Sequence, residues 1–212
     1  VRMRDIRGTQ LELGEMGFDG RVRNGFMQSS PFFAEVAGTR YKGAVMLDLR
    51  AAEPHAQLWL AAASVDAGRV VRQLQLAQHI DATVDRLSLY IDTRSGTLST
   101  MMARALIAGE ISGGKLLVRD ENTKSQLQVV LSSGVLSARP GERLLLSLDG
   151  AVDRIPVAIR MRSATMAELA DMRRRLPFEL ELDAAKTRVR LSGSMDRTIE
   201  ARDAELALTM QG

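Results

Sequence analysis

Apolar and charged side chains alternate almost without error along residues 177–196, PFELELDAAKTRVRLSGSMD. Phe178, Leu180, Leu182 and Ala184 fall on one side of an extended chain, and Glu179, Glu181 and Asp183 on the other. After a polar turn at 185–187, Val189 and Leu191 face one way while Arg188, Arg190 and Ser192 face the other. A period of two is the strand period, because successive side chains of extended backbone point to opposite faces. Joined as a hairpin, two such strands set an acidic row beside a basic one, a pairing worth roughly 0.2–1 kcal/mol per cross-strand pair. Hydrophobic phase and charge thus favour the same register.

The period recurs in RLLLSLDGAV (143–152), with Leu144, Leu146 and Leu148 in phase, and in PVAIRMRS (156–163), with Val157, Ile159 and Met161. It returns in AELALTM (204–210), with Leu206 and Leu208, and more loosely in TQLELGEM, AVMLDLRA, AQLWLAAAS, DRLSLYIDT, GGKLLVRD and SQLQVVLSS. These runs predict a mainly β chain. Three stretches break the alternation and predict short amphipathic helices over 65–76, 98–108 and 166–175. In SVDAGRVVRQLQLAQ (64–78), Ser64 is the expected cap and Val70, Val71 and Leu74 share a helical stripe, with Gly68 costing roughly 1 kcal/mol. TLSTMMARALIAGE (97–110) places Leu98, Met101, Met102, Ala105 and Leu106 on one stripe. SATMAELADMRRR (163–175) carries a capping box, Thr165 with Glu168, and ends on three arginines ahead of Pro177.

A short repeat is visible: LDGAVDRIP (148–156) and LSGSMDRTI (191–199) share Leu, a Gly two positions on, an apolar residue two later, then Asp-Arg; YKGAVMLDL (41–49) is a weaker relative. A glycine inside a strand allows close backbone approach or a bulge, and Asp-Arg makes a polar turn before the next strand. Such a repeat fits an architecture that grows by adding hairpins.

Composition narrows the picture. The 212 residues are 45% hydrophobic but only 4% aromatic, so the apolar surface is built from Leu, Val, Ala and Met, which suits a thin or open apolar layer. Basic residues (29) are scattered among acidic ones (26) without a basic block, so no nucleic-acid partner is expected. The absence of Cys excludes disulfides, thiol catalysis and thiolate metal sites. No run approaches the roughly 18 consecutive apolar residues of a membrane span. The chain opens on VRMRD and reads as a single β-rich segment, 1–212, of something longer, whose remaining part is where any anchor or targeting segment would lie.

Candidate chemistry is sparse. His55 and His79 lack ligand spacing and read as solvated loop or helix-end residues. SGGK at 112–115 lacks the phosphate-loop frame and predicts a hairpin turn before LLVRD. Asp81, Asp85 and Asp92 fall at ordinary strand and turn positions, and Met101 and Met102 suit helix packing better than copper. GxSxG, DxDxDG and GxGxxG are absent. No enzyme activity, metal or cofactor is expected.

The order of elements carries a resemblance. Residues 58–120 run from a strand to a small helix introduced by Asp, through a polar turn, a Leu-Ser-Leu strand, a Gly-containing turn, a Leu/Ala helix and a Gly-Gly strand. Residues 146–196 follow with strand, helix and PFELELDAAKTRVRLSGSMD, and ARDAELALTMQG ends the chain. This succession resembles the AsmA-like family of bacterial envelope proteins, of the AsmA/TamB type, over most of the chain. Two departures are the GRVV of 68–71, where the family usually has a Leu pair, and MDRTIEARD, which lacks the usual proline.

The resemblance implies an elongated, strongly curved, largely antiparallel sheet forming a taco-like groove, apolar inside and charged outside. It implies a periplasmic protein of Gram-negative bacteria, held at the inner membrane by an N-terminal helix outside these residues. Family members are implicated in phospholipid transfer to the outer membrane and in outer-membrane biogenesis. The expected partners are phospholipid acyl chains, bacterial membranes through other parts of the protein, and outer-membrane assembly proteins. The candidate lipid-facing rows are Leu144, Leu146 and Leu148; Val157, Ile159 and Met161; Phe178, Leu180 and Leu182; Val189 and Leu191; and Leu206 and Leu208. A competing reading is a structural or assembly module that binds proteins through sheet edges and conducts no lipid. Whether the helices cover those rows discriminates the two.

Overall fold

A computed structural model describes residues 2–3, 12–73, 80–120, 125–171, 176–185, 187–195 and 205–211. Its strands follow one another as β1 (Arg2–Met3), β2 (Leu13–Arg23), β3 (Phe26–Val36), β4 (Thr39–Asp48), β5 (His55–Asp66), β6 (Ile80–Arg94) and β7 (Leu106–Asp120). They continue as β8 (Ser125–Ala138), β9 (Arg143–Val152), β10 (Ile155–Thr165), β11 (Leu176–Ala184), β12 (Thr187–Met195) and β13 (Glu205–Gln211). Helices α1 (Ala67–Gln73), α2 (Leu98–Ala103) and α3 (Met166–Ala170) lie in the β5–β6, β6–β7 and β10–β11 connections. The mainly β expectation holds.

All thirteen strands form one antiparallel sheet whose spatial order is the sequence order, an open meander that does not close into a barrel. Tight turns make this order cheap. Asn24-Gly25, Ala37-Gly38 and Asp153-Arg154 each place two residues at positive φ, the turn geometry whose twist matches that of the flanking strands. The first Asp-Arg of the repeat is therefore a two-residue hairpin turn; the second, at 196–197, lies outside the described residues.

Helices α2 and α3 are shorter than their periodicity suggests, while residues 74–76 of the first stretch lie outside the described residues. Ser64 does not cap α1: it stands in β5 with φ of 55°, and Asp66 Oδ1 instead accepts the Arg69 N–H at 2.7 Å. Helix α2 is capped by Thr97 but ends at Ala103; Leu106 already pairs with Asp92 in the sheet. The expectation of helix to 108 fails because Leu106 and Ile107 gain a complete strand ladder against β6, which outweighs a weak helical preference. Helix α3 keeps its capping box, with the Glu168 N–H donating to Thr165 Oγ1 at 3.2 Å and the Thr165 N–H to Glu168 Oε2 at 2.8 Å. The three arginines at 173–175 lie outside the described residues.

SGGK is not a hairpin turn. Gly113 (φ 73°) and Gly114 (φ 151°) sit in the middle of β7, which runs through and pairs on both sides. Register is the same before and after them, Val84↔Gly114 with Arg86↔Ser112 on one side and Gly114↔Leu131 with Ser112↔Ser133 on the other, so the strand carries two positive-φ glycines without a shift and only the Gly113 position drops out of both ladders.

The sheet curls toward one face. Helices α2 and α3 touch, although their parent strands β6 and β10 are four strand spacings apart, about 19 Å in a flat sheet. Thr93, in phase with Leu89 and Ile91, donates its hydroxyl to the Met101 carbonyl at 2.6 Å, so α2 lies over the face those residues share. Two small cores lie at opposite strand ends. Val65, Val84, Leu131 and Val157 are buried at one end, and Ala105, Ala138 and Ala164 near α2 and α3 at the other.

Candidate functional site

Antiparallel partners place their side chains on the same face, so the ladder register shows which apolar residues form one surface. Starting at Phe18, each residue is the cross-strand partner of the next: Phe18, Phe32, Gly43, Leu60, Leu89, Gly109, Leu136, Leu146, Met161, Leu180, Leu191 and Leu208. No polar side chain interrupts this row from β2 to β13. Its eleven strand spacings measure about 50 Å along the curved sheet. A second row runs beside it through Ala62, Leu87, Ile111, Gly134, Leu148, Ile159, Leu182, Val189 and Met210.

The predicted residues assemble on this surface. Leu146, Met161, Leu180, Leu191 and Leu208 share the first row; Leu148, Ile159, Leu182 and Val189 share the second. Phe178 pairs with Gly193, which pairs with Leu206. Leu144 shares the phase of Leu146 and is half-buried. Val157 differs from the rest: it is only 7% exposed and belongs to the small core at one strand end. The side chains of Leu206 and Leu208 lie outside the described residues.

Phe178, Leu180, Leu182, Val189 and Leu191 are all half-buried. Helix α1 packs on β6, α2 on α3 and β6, and α3 on β10. The helices thus sit at the strand ends, and the middle of the two rows keeps half-exposed Leu, Ile, Met and Val.

The other face carries the charge. Arg160, Glu181 and Arg190 are cross-strand neighbours, as are Asp183 and Arg188. Arg188 Nε lies 2.5 Å from Asp183 and 3.1 Å from Glu181, and Arg160 reaches Asp183 at 2.9 Å. The register expected of the 177–196 hairpin is the one observed. The Arg188 hydrogen bond holds the Asp183 carboxyl below the usual carboxylate range. A depression of about 560 Å³ opens between Arg160, Arg162, Arg190, Glu179 and Glu181 on this face.

Two features were not legible beforehand. His55 is no solvated loop residue: it opens β5, and its Nε2 lies 3.1 Å from both carboxylate oxygens of Asp92. Asp92 also accepts from Gln57 at 2.6 Å and from the Tyr90 hydroxyl at 2.8 Å. Partial burial alone would raise the Asp92 carboxyl, but hydrogen bonds from Gln57, Tyr90 and His55 together hold it below its ordinary range. Burial, then the bond to Asp92, pushes the Tyr90 phenol up. The Tyr90 ring in turn lies against Trp59, with centroids 5.1 Å apart. The alternation did put Trp59 out of phase with Leu58 and Leu60, but nothing in sequence showed its neighbours. His79 lies outside the described residues. Of the methionine pair, Met102 is 52% exposed rather than packed.

Compared with protein-family models, curated proteins and solved structures, the chain matches none.

Proposed function

We propose that this chain is a lipid-binding segment of an AsmA-like envelope protein, holding phospholipid acyl chains against the apolar face of its curled sheet. The observation that carries the reading is the uninterrupted apolar row from Phe18 to Leu208, half-exposed along its described middle. Each methylene left in water costs about 0.8 kcal/mol, so an unprotected acyl chain crossing an aqueous gap costs on the order of 10 kcal/mol. A continuous surface of Leu, Ile, Met and Val removes most of that penalty. Because dispersion contacts are non-directional, a chain slides along such a surface without breaking hydrogen bonds. On this reading the segment works in the periplasm, tethered to the inner membrane by another part of the protein, and supports phospholipid transfer to the outer membrane.

The competing assembly role draws on one feature, the open sheet, whose terminal strands β1 and β13 each pair on one side only among the described residues. Lipid extraction separates the two. Protein purified from bacteria should yield phospholipid by mass spectrometry, and Leu146→Asp with Leu180→Asp should carry several-fold less while keeping its β-type circular dichroism. Ser147→Asp, one residue over on the opposite face, should carry as much as the parent. Lipid-free parent protein, or equal lipid in all three, favours the assembly role.

A further inference from the structure

The face opposite the apolar rows carries a second surface of different chemistry. Trp59 is the chain's only tryptophan and is 42% exposed. Its ring meets Tyr90 at an interplanar angle of 36°. Tyr90 is locked from behind: its hydroxyl donates to Asp92 and accepts from Gln57 Nε2 at 3.1 Å, while Gln57 and His55 hold the same carboxylate. Beside the rings, the small side chains of Ala61 and Ala108 leave a shallow depression of about 470 Å³, reaching Lys42, Ser88, Glu110 and Ser137. That volume lies within the range of small-ligand sites.

A rigid pair of aromatic faces beside hydroxyl, ammonium and carboxylate groups matches a molecule with one apolar face and a polar rim. Pyranose sugars are such molecules: their C–H faces lie flat on aromatic rings, and their hydroxyls both donate and accept. Lys42 and Glu110 offset each other, so the site selects no net charge. A lipid bilayer would call for something else, a broad apolar and cationic surround. Here the flanking cross-strand row reads Lys42, Ala61, Ser88, Glu110, Val135, with exposed Val135 its one large apolar side chain. The network behind Tyr90 fixes the platform before any ligand arrives, which lowers the ordering cost of binding.

We propose that Trp59 and Tyr90 form a binding platform for a neutral, β-linked pyranose oligosaccharide, with Lys42, Ser88 and Glu110 engaging its hydroxyls. The site lies on the opposite face from the acyl-chain surface and does not depend on that reading. Because Trp59 is the sole tryptophan, its fluorescence reports binding directly. Titration of the whole chain with the β-1,4-linked tetramer of N-acetylglucosamine, and separately with cellotetraose, should give a saturable change with at least one, with Kd on the order of 1 mM. Calorimetry should find Trp59→Ala and Tyr90→Ala about tenfold weaker or worse, and Trp59→Phe, which keeps a ring, closer to the parent; circular dichroism checks folding in each. No saturable response to either tetramer overturns the proposal. So does undiminished affinity in a folded Trp59→Ala, or a response only to phosphatidylethanolamine–phosphatidylglycerol vesicles.

Discussion

A Cβ placed on Gly150 would stand 2.4 Å from the Val130 carbonyl oxygen on the adjoining strand, and one on Gly43 would stand 1.7 Å from that of Trp59. Real side chains do not approach so closely, so these strands meet as they do because the positions are glycine. Both belong to the short repeat, where close backbone approach was one of two expectations. Gly150→Ala should lower stability by about 1–3 kcal/mol through forced backbone displacement, read as a drop in the urea midpoint. Gly96→Ala, with nothing within 4 Å of the added carbon, should change it by about 0.5 kcal/mol or less. An equal loss in both would mean that close approach is not what Gly150 provides. Trp59 illustrates the opposite case: its phase in AQLWLAAAS assigns it a face, shared with Gln57, yet Tyr90 and Asp92 come to that face only through strand pairing.

The β11–β12 hairpin was read correctly because two independent signals, hydrophobic phase and charge, named the same register. Its acidic row also sets a pH dependence. The folded Asp183 carboxyl, held by Arg188 and Arg160, titrates below its unfolded value of about 3.9. Its stabilisation is therefore fully present above about pH 4 and is lost as pH falls through the lower folded value. Thermal midpoints should hold steady down to about pH 5 and fall below about pH 4, with Asp183→Asn showing a shallower acid limb. Added salt should shrink the difference, since the ladder is exposed. An unchanged acid limb in Asp183→Asn would remove the ladder from the account. Elements with a single signal fared worse. The 98–108 stripe overruns its helix because the same Leu and Ile residues serve a strand, and SGGK predicts a turn because two adjacent glycines look alike in a hairpin and inside a long strand.

Among the described residues every strand pairs only with its neighbours in sequence, so stability is close to a sum of strand-to-strand terms, as in repeat proteins. The longest strands lie centrally, with 15 residues in β6 and β7 and 14 in β8, against 9 in β11 and β12 and 7 in β13. Native-state hydrogen exchange should therefore grade outward, with the slowest amides in β6–β8 and progressively faster ones toward β12 and β13. One common opening free energy for all strands would indicate all-or-none cooperativity instead.

Period-two alternation was enough to determine that this chain is β-structured and which side chains of each strand share a face, because side-chain direction in extended backbone is a local property. Leu146, Met161, Leu180 and Leu191 were each assigned correctly on that ground. That they stand in one row with Phe18, Leu60 and Leu136 depends on the register of eleven successive pairings and on the irregularities that shift it, and local periodicity contains neither. Curvature likewise emerged only from the assembled sheet, where α2 meets α3 across four strand spacings, an interaction between residues far apart along the chain. Where the described helices pack was decided the same way, since a helix's periodicity shows that it has an apolar stripe but not which strand end receives it.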